Sequence, residues 1–341
     1  MHLGAAVTPA IMWGIAHAQG IRLPTKDYWA FRDLITVGRR RRSFDAYLEL
    51  FHWTELIQSS PTAVERSVYE VIGGAYRKNN ITRIELRFNP MKRNRGGEQD
   101  LDHIIAAAVR GMDRAVLEYP QVRAALIFCL DRAFSYELNE IIAAKAVAWR
   151  DRGVVAVDIA GPSEPGFRFA DYRELFAQVR RAGLGVTVHA GETGGPEEVR
   201  EAIEALEPAR IGHGISATRD PMVMGMLQER GIVLEVCPSS NLNTRVVRNL
   251  VELRGIIRAL VDHGVRFALS TDGPEMLRSY LRDEIALLLR HEILSFEEVE
   301  RTLETAREAT FVGLAPVPGR SDGTDGGAAD GHAAIALEVE V

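Results

Sequence analysis

"VTVHAGETGGPEEVREAIEALEPARIGHG" (186–214) carries the logic of the fold in one stretch. It lies within two β-branched runs, "LGVTVHA" (184–190) and "ARIGHG" (209–214), separated by an amphipathic segment of helical length. Strand, helix and strand in that order predict parallel pairing, with both sheet faces covered. Each strand ends on a histidine, His189 and His213. In barrels of alternating strands and helices, the C-terminal strand ends form the catalytic face.

Working outward, the same alternation recurs. Further strands are predicted at "ITRIELRF" (81–88), "RAALIFCL" (123–130), "VVAVDIA" (154–160), "IVLEVC" (232–237) and "VRFALSTD" (265–272). Helices are predicted at 101–118, 136–153, 171–183 and 250–264, several of them ending in glycine. That makes seven strands with seven following helices, and the place for an eighth strand lies before residue 3. The expected fold is therefore α/β, a (β/α)₈ TIM-type barrel with its first strand truncated. Residues 10–78 read as a helical insertion after that first strand. One domain is expected over 1–314, with a disordered tail at 315–341, which is rich in Gly, Asp and Ala.

The composition excludes several classes. The net charge of −6, from 41 basic and 47 acidic residues, argues against nucleic-acid binding. Cys129 and Cys237 are the two cysteines, too few for a disulfide framework or a cysteine-based zinc site. There is no apolar run of membrane-spanning length and no signal-peptide pattern, so a cytoplasmic protein without a membrane partner is expected.

The titratable residues cluster by position. His189 ends one strand with Glu192 in the loop behind it, His213 ends the next, and Asp272 in "LSTDGP" ends the last. "LEVCPSSN" adds Cys237, Ser239 and Asn241 on the same rim. Alone, a histidine at a strand end is commonly a hydrogen-bonded loop residue, and an Asp before Gly-Pro a turn residue. Converging on one face, two imidazoles and a carboxylate suit a borderline cation such as zinc, with a carboxylic acid left for proton transfer. Cys237 reads as packing. His17, His52, His103, His263, His291 and His332 read as structural or surface residues.

The run "VTVHAGETGG…RIGHG…LEVCPSSNL…LSTDGP", with "LRFNP" and "VVAVDIAGPSE" before it, resembles the adenosine deaminase family of the amidohydrolase superfamily over roughly residues 1–312. The zinc motif of cytidine deaminases, which needs P-C-x-x-C, is absent from the sequence. The family opens on His-x-His in its first strand, and "MHLG" matches from the middle residue onward, so a further histidine is expected just before Met1.

The resemblance implies His2, His189 and Asp272 as ligands of one Zn2+ per chain, or of a similar divalent ion. It makes His213 the group that orients and deprotonates the attacking water, and Glu192 the acid that protonates the purine ring. Gly161 matches the glycine whose N–H meets the purine. The implied reaction is hydrolytic deamination of an adenine nucleoside, a small-molecule partner, with release of ammonia. Two positions depart from the family pattern: Gly4 stands for an Asp that touches ribose, and Gly273 for an Asp that binds the ring. Lys92, Arg93 and Arg95 follow a strand on the catalytic face and could meet an anionic substituent, as in AMP or aminodeoxyfutalosine; a solvated loop is the plainer reading, as for the run at 39–42. Two other readings stay open. One is a related hydrolase of another amino-heterocycle, the other a catalytically inactive, deaminase-like binding protein.

Overall fold

The computed structural model describes residues 1–38, 43–94, 100–162 and 164–314. The arginine run 39–42, Arg95 and the expected tail 315–341 lie outside these. After a 3₁₀ turn at Leu3–Ala5 come α1 (Pro9–Ala18), α2 (Tyr28–Ile35), α3 (Phe44–Leu48), α4 (Leu50–Ile57) and α5 (Pro61–Asn79). Strands and helices then alternate: β1 (Arg83–Phe88), α6 (Asp102–Glu118), β2 (Arg123–Asp131), α7 (Tyr136–Ala148), β3 (Val154–Ala160) and α8 (Arg173–Arg181). The series continues with β4 (Gly185–Ala190), α9 (Pro196–Leu206), β5 (Arg210–His213), α10 (Pro221–Glu229) and β6 (Val233–Val236). It ends with α11 (Pro238–Asn243), α12 (Leu250–Asp262), β7 (Phe267–Leu269), α13 (Pro274–Leu277), α14 (Leu281–Arg290) and α15 (Phe296–Ala309).

All seven strands pair in parallel in chain order, and the sheet curls with helices around it, as the alternation predicts. Residues 1 and 2 bridge β1 to the end of β7. Arg87 donates its N–H to Met1 O at 3.0 Å, and His2 donates its N–H to Asp272 O at 3.0 Å. His2 thus makes a single parallel bridge to Arg87 in the first strand's place. Within the insertion, α3 and α4 are parted at Glu49, and the predicted 136–153 helix finishes as a 3₁₀ turn before Gly153, whose φ of 97° turns the chain into β3.

Local chemistry explains the insertion's frame. Ser60 accepts the N–H of Ala63 to start α5, and Asn80, at φ 51°, ends it in the left-handed conformation. Gly111 lets α5 lie directly on α6, since a Cβ there would overlap the carbonyl of Glu65. Among the described residues no helix is long and apolar enough to cross a membrane.

The barrel interior is charged. Arg87 on β1 pairs with Asp158 on β3 (3.0 Å) and with Glu235 on β6, and Arg210 on β5 pairs with Glu85 (2.5 Å) and Glu235 (2.9 Å). Buried charges are tolerated only when paired in this way. Burial pushes the Glu235 carboxyl up, but Arg87 and Arg210 outweigh it and hold it well below the usual carboxylate range.

Candidate active site

The upper end of this ladder is Asp158, which binds Nδ1 of His189 through both oxygens, at 3.1 and 3.0 Å. His189 sits at the end of β4 with its Nε2 3.2 Å from Nε2 of His2. His2 Nε2 lies 3.8 Å from Oδ1 of Asp272. Burial, then the neighbouring charges of His189 and Arg87, hold His2 well below its ordinary pKa, so the ring is neutral near pH 7. His189 moves the other way: burial lowers it, but the Asp158 carboxylate more than offsets that.

His213 and Asp272 both leave their strands in left-handed backbone, at φ 59° and 56°. Such conformations cost roughly 1–3 kcal/mol in non-glycine residues and cluster at functional sites. Asn241 Nδ2 contacts His213 Nδ1 at 3.1 Å, and Ser240 Oγ donates to Asp272 Oδ2 at 2.8 Å. Glu192 Oε2 lies 3.5 Å from His213 Nε2. Its Oε1 is buried without a hydrogen-bond partner among the described residues. Burial raises the Glu192 carboxyl above its ordinary value, the pull of His213 opposing it and the charge of Asp272 adding to it. That shifts the balance toward the protonated form and leaves one oxygen uncommitted.

These groups line one cleft, open on one side to solvent. His2, His189, Glu192, His213, Asp272 and Gly161 all face it. Gly161 needs its glycine: φ is 105°, and a Cβ would stand 2.9 Å from Asp131 Oδ1. Gly4 and Gly273 are not among the lining residues. Gly4 packs under Arg93 and Phe51, and at Gly273 a Cβ would overlap that of Ala5. Lys92 is paired with Asp131, and Arg93 is buried. Among the described residues, the cation that does line the cleft is Arg132, held 3.0 Å from Glu198 and bonded to the carbonyl of His189.

The residues that sequence reasoning missed come mainly from the insertion. Phe44, Tyr47, Leu48 and Phe51 roof the cleft, and Tyr47 OH donates to Asp272 Oδ2 at 3.1 Å. Their i, i+3, i+4, i+7 spacing was visible as an apolar stripe; its destination was not.

His2, His189 and Asp272 could together hold a cation, two imidazole nitrogens and a carboxylate oxygen meeting around His2. Among the described residues no group of three or more such side chains is drawn together as a formed cation site. The donor set itself is one that zinc takes, with the Nδ1 of His189 anchored on a carboxylate and its Nε2 turned to the site.

The family model described as adenosine deaminase matches residues 1–315. An adenosine deaminase of Clostridium kluyveri is 31% identical over 310 residues, covering 91% of this chain and 87% of the relative. Among solved structures, an adenine deaminase from Arthrobacter aurescens superposes with a TM-score of 0.81 at 20% identity, over 91% of this chain and 92% of its own. An Arabidopsis ADAL complexed with IMP gives 0.78 at 22% identity, over 91% and 90%. An amidohydrolase from Burkholderia ambifaria with bound Zn gives 0.76 at 22%, over 91% and 84%. At those identities the structures speak to the fold, and the sequence matches speak to the family. The chain belongs to the adenosine deaminase family and is a hydrolase of carbon–nitrogen bonds.

Proposed function

We propose that the protein is a zinc-dependent hydrolytic deaminase of an adenine nucleoside or nucleotide, releasing ammonia. The observation that carries this is Glu192: a buried carboxyl held toward its protonated form, one oxygen unpartnered, on the wall of a cleft shared with His2, His189, His213 and Asp272. The family match, the adenosine deaminase relative and the IMP-bound and Zn-bound neighbours support it.

His2, His189 and Asp272 would hold the metal, which supplies a Lewis acid able to provide hydroxide near neutral pH. Every other role falls to this chain's side chains. Glu192 delivers its proton to the ring nitrogen beside the amino-bearing carbon, which makes that carbon electrophilic. His213 takes a proton from the attacking water at Nε2. For that, its ring proton must sit on Nδ1, which requires the Asn241 amide, whose Nδ2 faces Nδ1 at 3.1 Å, to turn over so that Oδ1, buried without a partner among the described residues, accepts from Nδ1–H. Asp158 fixes the tautomer of His189 from behind. The backbone N–H of Gly161 meets the purine, and Phe44, Leu48 and Phe51 cover the site from water.

Gly273 has no side chain to offer the ring, and its contact with Ala5 leaves no room for one. This favours a substrate carrying an extra anionic group, such as AMP or aminodeoxyfutalosine, with Arg132 rather than Lys92 or Arg93 as the cation within the cleft. The experiment is ammonia release from adenosine, AMP and aminodeoxyfutalosine by zinc-supplemented protein, beside Arg132→Ala. The reading stands if at least one is deaminated and zinc stimulates it. It falls if none is deaminated.

A further inference from the structure

Ser240 and Asn241, which hold Asp272 and His213, both ride on α11, a helix of six residues. So short a helix gains little from its own hydrogen bonds and needs an external anchor. One oxygen of Glu284 on α14 accepts the backbone N–H of Ser239 at 3.0 Å. The other accepts Ser279 Oγ at 2.9 Å. Ser239 lies in the connection after β6, and Ser279 lies in the connection after β7 that carries Asp272. A single carboxyl therefore ties together the two segments that carry the groups around Asp272 and His213.

The anchor is an expensive one. Glu284 is wholly buried, at 0% exposure, on the inner face of an otherwise leucine-rich helix. Burial pushes its carboxyl up to about 7 despite both hydrogen bonds. A buried aliphatic side chain would serve packing alone at lower cost.

We propose that Glu284 is a positioning residue for the reaction, fixing the start of α11 so that Ser240 and Asn241 hold Asp272 and His213 in register. The proposal rests on the functional reading above for what Asp272 and His213 do. Glu284 lines no part of the cleft and acts through Ser239 and α11.

The test compares Glu284→Ala and Glu284→Gln with the parent in three readouts: kcat and KM, melting temperature, and hydrogen exchange at the amides of 238–243. Glutamine can accept the Ser239 N–H through its amide oxygen and donate to Ser279 Oγ through its nitrogen, so it should restore most of the turnover. Glu284→Ala should lower kcat about 10–100-fold, the range for losing a supporting hydrogen bond behind a reactive group. KM should change little, and exchange at 238–243 should rise. If Glu284→Ala does not fold, Glu284→Asp takes its place; it keeps the charge but is one methylene too short to reach Ser239, and the same kcat loss is expected. A folded alanine or aspartate variant with parental kcat and parental exchange overturns the proposal. So does a glutamine variant as impaired as alanine, because charge rather than placement would then be at work. Should the parent deaminate nothing, the functional reading has failed, while the exchange measurement still decides whether Glu284 anchors α11.

Discussion

Asp158 stands between Arg87 and His189, accepting the guanidinium at 3.0 Å on one side and the imidazole Nδ1 at 3.0 Å on the other. One buried carboxylate thus joins the charged barrel interior to the cleft. Removing its charge loosens the hold on His189 and leaves Arg87 with Glu235 as its remaining carboxylate. Asp158→Asn should weaken zinc binding by about 10–100-fold, as outer-shell changes do. Metal content after dialysis against a graded chelator checks this. Parental zinc retention would show that the Asp158 contact does not order His189.

Gly273 should resist even small additions. A Cβ at this position would overlap that of Ala5 and stand 3.2 Å from Tyr47 OH. Gly273→Asp, which would restore the family's Asp-Asp, should destabilise the fold by roughly 1–3 kcal/mol through overpacking and should not confer a preference for adenosine. Thermal melting and kcat/KM on adenosine read the two halves separately. A stable, adenosine-selective variant would mean that α3 and the first turn yield readily.

Glu284 should leave a trace in the pH dependence of stability. Its folded value of about 7 lies above its ordinary value of 4.5, so between the two the native state holds a proton that the unfolded chain has released. Stability therefore falls as pH rises through this window, by up to roughly 3 kcal/mol for the full shift. In Glu284→Gln that dependence disappears. Its melting temperature relative to the parent should climb between about pH 5 and pH 8, and parallel curves would show that the group is not perturbed.

Much of this was legible in the sequence, for identifiable reasons. β3 is buried on both faces, so "VVAVDIA" shows as an uninterrupted apolar run broken by a single Asp. His189, His213 and Asp272 were legible because a strand end in a parallel barrel has only one face to serve. The charged interior was hidden. "RIELRF" alternates like a half-exposed strand, yet Glu85 and Arg87 point into the barrel, where Arg210, Asp158 and Glu235 meet them from strands far along the chain. Tyr47 was hidden for the same reason, since its partner Asp272 lies 225 residues away. The basic loop misled: charge in a sequence does not show that Lys92 is paired with Asp131, or that Arg93 is buried against Gly4.

The proposed role of Glu192 as the acid of a hydrolytic deamination is tested most directly by one measurement. It is the rate of ammonia release, for parent and Glu192→Gln, from whichever of adenosine, AMP and aminodeoxyfutalosine the parent turns over, with zinc content determined in the same samples. Glutamine keeps the shape of the side chain but carries no transferable proton. With Glu192 as the acid, zinc should be equal in both proteins and kcat should fall by about 10²–10⁴-fold, the contribution of a positioned acid. A Glu192→Gln protein that holds its metal and turns over at near the parental rate would contradict that role.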